Sequence, residues 1–288
     1  KNYKLSELIY WFKTPQKYWL NKNNISPKEI FIHHPDEEYV SNLQKSQLIT
    51  KIIQQVEIDN HNIIDDLNEL NINDQLVENG IIMPKNSIFT KEKEIKDLLS
   101  SLSASLSQHN KINKIYVKLN ANKEEYLIAD DTVIELINAK LSLSRLTEAW
   151  IKLLFISSLK RNIKRTKVIF RTENNYKSQI IQSPGATESN LILEEYINIF
   201  KNYSEKCLPL PPESAYKYVE AKIKSKNEKK AFTDKWIGNK NFSKGERDNI
   251  EMKMCFGNEK EPDFFLGNNN FDQLSYRLYG PLIKALKK

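Results

Sequence analysis

The tripeptide Asn138-Ala139-Lys140 closes a run of β-branched and apolar residues, and its spacing could serve phosphodiester chemistry. In a strand that carries an acid, one further residue and then lysine, the acid and the lysine lie on one face. Two carboxylates at such a place can hold Mg²⁺, which activates water, while the lysine orients or deprotonates that water. Here the lysine is present, but Asn138 offers a cation only a neutral carbonyl. The pattern therefore predicts a degenerate hydrolytic motif at Asn138 and Lys140, with no catalytic or metal-binding residue.

The nearest upstream acids are Asp130 and Asp131, which could in principle supply a second carboxylate. They stand too close to Asn138 in sequence to reach it across a sheet. Aspartate in a polar turn needs no further explanation. We interpret the pair as turn formers.

A basic cluster follows further along the chain, and its members could contact phosphate. No acid lies between its first and last members, which are Lys160, Arg161, Lys164, Arg165, Lys167 and Arg171. No aromatic residue is interleaved before Phe170, so a solvated lysine-rich face explains the cluster equally well. The sequence leaves both interpretations open.

The elements that must position these residues can be predicted from hydrophobic periodicity. Ile115, Val117 and Leu119 alternate with polar residues, residues 120–123 have turn chemistry, and extended runs follow at 125–129 and 132–139. From Leu143 the apolar positions change to helical spacing. A strand meander followed by a helix across its face indicates the α/β (α+β) class. The specific expectation is a restriction-endonuclease-like core of the PD-(D/E)xK type, with a central mixed β-sheet flanked by helices.

The first third of the chain is predicted to be helical, with helices at 4–12, 15–20, 39–56 and 91–107. We therefore expect a helical part over residues 1–110 and an α/β core with C-terminal helices over 111–288. We expect the two parts to form one integrated domain over residues 1–288, but 288 residues is long for one core, so two close subdomains are the alternative.

Composition excludes several other classes of protein. The chain is 40% hydrophobic and has a formal charge of +7, so a folded basic protein is expected. Its two cysteines, Cys207 and Cys255, lack ligand spacing for zinc or an iron–sulfur cluster and fit a reducing, cytoplasmic setting. No membrane span, signal peptide or nucleotide-binding glycine loop is evident. The first residue is Lys1 rather than Met, which suggests a segment of a longer protein.

Several motifs recur together, in the order found in one known family. They are Leu5, Leu8, Phe12, Pro15, Tyr18 and Trp19 at the start, Gly80 to Pro84 before a helix, the meander with Leu143 to Leu153, Leu208 to Pro212 before Ser214, Gly245-Glu246, and Phe271, Leu278, Pro281 and Leu282 near the end. In these features the chain resembles the C-terminal domain of RecC, the gamma subunit of the RecBCD helicase–nuclease, exodeoxyribonuclease V.

This resemblance implies a nuclease-like fold without a nuclease site, acting as a scaffold and DNA-handling domain during double-strand-break repair by recombination. Leu146 and Trp150 stand where active relatives show Gln-x-x-x-Tyr. The implied partners are RecB-like beta and RecD-like alpha subunits and double-stranded or forked DNA, with no membrane. ATP and Mg²⁺ are expected only in the partner subunits, and no cofactor is expected in this domain.

The resemblance also directs attention to the predicted hairpin, because the gamma subunit carries a pin that splits the duplex. The tip residues Asn120, Ala121, Asn122 and Lys123 are the pin candidates, and the turn at Asp130-Asp131 is an alternative. Two other functions stay open from sequence: an active metal-dependent nuclease domain of the AddB or RecB type, and a protein-interaction module that does not contact DNA.

Overall fold

A computed structural model describes residues 4–26, 49–50, 85–107, 112–119, 122–160, 162–239, 243–258 and 260–286. The N-terminal helices are α1 (Leu5–Lys13) and α2 (Pro15–Lys22), the latter with Pro15 at its first position, where the missing N–H costs no hydrogen bond. A long helix, α3 (Lys85–Leu106), leads to the sheet. The helix expected at 39–56 lies almost entirely outside the described residues.

The central sheet has five strands in the order β1-β2-β3-β4-β5. The strands are β1 (Asn113–Leu119), β2 (Asn122–Ala129), β3 (Thr132–Ile137), β4 (Arg165–Arg171) and β5 (Tyr176–Gln182). The pair β3 and β4 is parallel, and the other three neighbouring pairs are antiparallel. The α/β class and the mixed sheet flanked by helices are thereby confirmed.

Helix α4 (Leu143–Leu159) provides the crossover that the parallel pair requires. Its first turn is capped by the Ser142 hydroxyl, which accepts a hydrogen bond from the Arg145 amide at 3.4 Å. The stripe predicted from Leu143 onward packs inward, and Trp150, Leu153 and Leu154 are almost fully buried.

Alternation along the strands divides the core into two layers. Val133 and Val168 belong to the larger hydrophobic cluster, together with residues of α1 and α4. Ile134 and Ile169, one position further along each strand, belong to a second cluster with α3. The sheet therefore lies between α3 on one face and α4 on the other.

The C-terminal half adds helices around the α4 layer. They are α5 (Ala186–Tyr203), α6 (Pro212–Ile223), α7 (Glu228–Ile237), α8 (Ile250–Phe256), α9 (Asp263–Leu266) and α10 (Phe271–Ala285). A short ribbon of β6 (Gly238–Asn239) and β7 (Ser243–Lys244) and a 3₁₀ turn (Glu246–Asp248) lie between α7 and α8. The larger cluster extends from Leu5 to Ile283, so both predicted parts of the chain contribute to it.

Among the described helices, none is long and apolar enough to cross a membrane.

Candidate functional site

The carboxyl ends of β3 and β4 meet at one edge of the sheet because these two strands are parallel. The amino end of β2 at Asn122 and the amino end of β5 at Tyr176 lie at the same edge, because each is antiparallel to its neighbour. Asn138 and Lys140 follow β3 directly, and Arg171 ends β4. We call this the carboxyl edge.

Asn138 is held on both sides of its amide. The Tyr176 hydroxyl donates to its Oδ1 at 3.0 Å, and its Nδ2 donates to Thr50 Oγ1 at 3.0 Å. The strand that was expected to reach Ala139 ends at Ile137, and Asn138 begins a bend. Asn138 thus links the end of β3 to β5 and to Thr50. The side chain at the position where the nuclease pattern would place a metal-binding acid therefore has a structural role.

Lys140 lies in the loop before α4 and not on the strand. Its Nζ forms an ion pair with Glu173 Oε1 at 3.0 Å, and the two side chains are 76% and 77% exposed. Its backbone carbonyl accepts a hydrogen bond from Arg145 Nη1 at 2.6 Å. The motif residues Asn138 and Lys140 therefore have separate partners.

A row of alternating charges, which no sequence motif indicates, lies next to the carboxyl edge on the α4 side of the sheet. Lys152 Nζ lies 3.5 Å from Glu135 on β3 and 3.4 Å from Glu148 on α4. Lys13 of α1 then reaches Glu148 at 2.6 Å. These four side chains join three elements. The spacing of four residues between Glu148 and Lys152 is the only sign of this row in the local sequence.

The pKa directions in this row follow from burial and pairing. Burial raises the pKa of the Glu135 carboxyl, and Lys152 only partly opposes this. Burial works against the charge of Lys152, but Glu135 and Glu148 outweigh it and raise the Lys152 pKa. Burial would likewise raise the pKa of Glu148, yet the ammonium groups of Lys13 and Lys152 lower it.

Two cavities open at the carboxyl edge. One, of about 390 Å³, is lined by Asn138, Arg145 and three members of the row of charges, Glu135, Glu148 and Lys152. The other, of about 490 Å³, is lined by Lys140, Arg171 and the turn between β4 and β5. In the described part of the chain, no group of three or more His, Cys, Asp or Glu side chains is arranged to hold a metal ion.

The predicted basic cluster is divided between the two ends of β4. Lys160 is exposed, and Lys164 and Arg165 both approach Asp131, at 3.4 and 3.6 Å. The hydrogen bond with Thr132 and these two cations lower the pKa of the Asp131 carboxyl, against burial. Asp131, interpreted only as a turn former, therefore also neutralises part of the cluster.

The remaining members of the cluster lie elsewhere. Lys167 is buried, and its ammonium donates to the Ser105 carbonyl of α3 at 3.0 Å. Arg171 lies about 20 Å from Arg165, at the carboxyl edge, since β4 rises about 3.3 Å per residue. Arg161 is outside the described residues. Lys167 is thus committed to the core, and Lys160, Lys164 and Arg165 form the surface group.

The two candidate pin tips lie at opposite ends of β2, not beside each other as the sequence suggested. Asn120 and Ala121 are outside the described residues, whereas Asn122 and Lys123 already belong to β2 and pair with Leu119 and Lys118. The Asp130-Asp131 turn closes the other end, with Asp130 at φ 54°. Only the first tip is continuous with the carboxyl edge.

Trp150 occupies one of the two positions where active nucleases were expected to show Gln-x-x-x-Tyr. Its Nε1 donates to the Tyr196 hydroxyl at 3.1 Å, and that hydroxyl donates to the Leu278 carbonyl at 2.9 Å. All of this is buried. Trp150 therefore ties α4 to α5 and α10 in the core.

Comparison with known proteins supports the resemblance drawn from the motifs. The family model described as "RecC C-terminal domain" matches residues 1–223, which include the sheet, α4 and α6. A comparison with curated protein sequences gave no match. Since the family match covers more than half of the chain, this protein belongs to the RecC C-terminal domain family, and so to the gamma subunit of RecBCD, the exodeoxyribonuclease V complex that acts on DNA in repair and recombination.

Proposed function

We propose that this domain is a non-catalytic structural and DNA-handling part of the gamma subunit, built on a degenerate nuclease-like core. It would hold RecB-like and RecD-like subunits together and help to split and guide the DNA strands. The observation that carries this proposal is Asn138, whose amide donates to Thr50 and accepts from Tyr176 where a nuclease would present a carboxylate to Mg²⁺.

The neighbouring side chains support the same proposal. Lys140, which would orient water in a nuclease, is paired with Glu173 in the loop. Lys152 lies between Glu135 and Glu148, so an ammonium group already pairs with the two carboxylates that line a cavity with Asn138. Trp150 is used for packing and a buried hydrogen bond.

The surface offers two features for DNA handling. The cations at the amino end of β4, Lys160, Lys164 and Arg165, can contact phosphates. The β1–β2 hairpin keeps an unbroken antiparallel register along its length, from Asn113↔Ile128 to Leu119↔Asn122. A hairpin of this kind is stiff enough to serve as a wedge at a DNA junction.

The decisive experiment incubates the purified chain with linear DNA and Mg²⁺ or Mn²⁺. We expect no cleavage. Cleavage that disappears with Lys140→Ala but survives in the matched control Lys253→Ala, an exposed lysine of α8, would contradict the proposal. Activity that survives both substitutions would identify a contaminant. Co-purification of the full gamma subunit with its two partner subunits tests the scaffold role. An assembled complex that does not associate with DNA would contradict the DNA-handling role.

A further inference from the structure

Both cysteines of the chain, Cys207 and Cys255, lie next to each other in the folded protein. Their thiols share a hydrogen bond, although Cys207 follows α5 and Cys255 belongs to α8. Neither is in a disulfide, and both side chains are half-buried, so a small reagent can reach them. All of the thiols in the chain therefore lie at one place.

Cys207 is held in position by the segment that follows it. The buried side chain of Gln16 on α2 donates from Nε2 to the Leu208 carbonyl at 2.7 Å and to the Leu210 carbonyl at 3.1 Å. The prolines that alternate with these leucines restrict the backbone further, because the ring of proline fixes φ. The backbone next to Cys207 is thus fastened to α2.

Cys255 is brought to the same helix by α8, which packs against α2. Met252 lies one turn before Cys255, on the same face of α8, and is buried in the larger hydrophobic cluster. The segments that carry the two thiols therefore both rest on α2. Tertiary packing, and not closeness in sequence, holds the thiols in contact.

The shared hydrogen bond makes the two thiols unequal. It stabilises the thiolate of Cys207 and lowers the pKa of that group, although burial opposes the change. The same hydrogen bond, burial and the charge of Glu251 raise the pKa of Cys255. Since the thiolate is the nucleophilic form of cysteine, Cys207 is the attacking sulfur of the pair.

We propose that Cys207 and Cys255 form a modification site at which hydrogen peroxide produces a reversible disulfide. The Cys207 thiolate attacks one peroxide oxygen, so an S–O bond forms, the O–O bond breaks, and the leaving hydroxide takes up a proton and becomes water. The Cys255 thiol then attacks the sulfur of the Cys207 sulfenic acid. The S–S bond forms, the S–O bond breaks, and a second water leaves with the thiol proton. Two electrons pass from the two sulfurs to the peroxide.

The contact between the thiols favours this bond, because they need only a small shift to reach the S–S length of about 2.0 Å. The disulfide joins the loop after α5 to α8 and thereby fixes α8 on α2. In a reducing compartment such a bond is transient and suited to sensing an oxidant, and a dithiol opens it again. Its formation requires neither DNA nor the partner subunits.

Treatment of the purified chain with hydrogen peroxide, followed by alkylation with iodoacetamide and mass spectrometry, tests the site. The reduced wild type should take up two alkyl groups. After oxidation it should take up none, its mass should be lower by two hydrogen atoms, and a non-reducing digest should contain a peptide pair that joins Cys207 to Cys255. Dithiothreitol should restore both alkylations. Thiols that stay open to alkylation, or that both become sulfinic acids without a cross-link, would overturn the proposal, as would a disulfide between two chains in place of the internal one.

Single substitutions separate the roles of the two sulfurs. In Cys255→Ser the Cys207 sulfenic acid has no second thiol in the chain to attack it, so dimedone should label Cys207. In Cys207→Ser the remaining thiol should be oxidised severalfold more slowly, and an equal rate would overturn the assignment of Cys207 as the attacking sulfur. The oxidised wild type should unfold at a higher urea concentration than the reduced wild type, and equal midpoints would show that the bond does not fasten α8. That comparison needs no substitution, so it decides the matter even if a variant does not fold.

Discussion

Glu246 is a buried carboxylate that ties the C-terminal segment to α6, and its substitution gives the sharpest test of the fold. Its Oε1 accepts from the Glu213 amide at 2.9 Å, and its Oε2 accepts from the Ser214 amide and the Ser214 hydroxyl, both at 2.6 Å. Ser214 lies in the first turn of α6. Glu246 thus takes the capping role from 32 residues away.

The perturbation is Glu246→Gln, which replaces one acceptor oxygen by an NH₂ group. In either orientation of the amide, that NH₂ faces a donor, either the Glu213 amide or the amide and hydroxyl of Ser214. A buried donor that loses its acceptor costs about 1–3 kcal/mol. We expect the free energy of unfolding to fall by that amount at a pH above 7.

The pH dependence of this loss follows from the Glu246 pKa. Burial raises that pKa from 4.5 to about 7, although the three donated hydrogen bonds oppose the rise. Between those values the folded state binds more protons than the unfolded state, so this group contributes stability at low pH and loses it as pH rises. One pKa unit corresponds to about 1.4 kcal/mol. The difference in the free energy of unfolding between the wild type and Glu246→Gln should therefore narrow by up to about 3 kcal/mol as pH rises from 4.5 to above 7.

Chemical denaturation followed by tryptophan fluorescence at a series of pH values measures this gap. Glu220→Gln on the same helix is a matched control with the opposite sign. Burial would raise the pKa of Glu220, but Lys217 and Lys224 lower it, so its gap should widen as pH rises. A Glu246→Gln gap that is constant or widens with pH would refute the claim that burial outweighs the hydrogen bonds.

Three further outcomes are expected. Neutralising Lys160 and Lys164 should reduce the salt slope for duplex binding by about 1.8, at about 0.9 per contact, and an unchanged slope would assign these charges to solvation. Shortening residues 120–123 to Asn-Gly should leave assembly of the RecBCD complex intact and slow its unwinding of DNA; unaltered unwinding would place the pin elsewhere. Trp150→Phe should lower the free energy of unfolding by about 1–3 kcal/mol, because the buried Tyr196 hydroxyl loses its donor. Chemical denaturation measures this change, and a loss below about 0.5 kcal/mol, which is typical of a surface substitution, would show that this hydrogen bond is not needed.

The sequence by itself determined the local elements. The period of two in Ile115, Val117 and Leu119, and the helical spacing from Leu143, predicted β1 and α4 to within a few residues. Local periodicity reports which residues share a face of one element. It also predicted that Asn138 and Lys140 lie at the end of a strand. The order of the motifs indicated the RecC C-terminal domain family, which the family match over residues 1–223 confirms.

Only the tertiary structure decided what each face meets. The alternation in β4 predicted two faces but not that Lys167 would point at Ser105 of α3, nor that Arg171 would line a cavity with Lys140 and Lys177. Likewise, nothing in the sequence indicates that Glu135 contacts Lys152 or that Glu246 contacts Ser214. Their contacts arise because strand order and helix packing bring distant segments together, and the energy of such contacts depends on burial, which local pattern does not report.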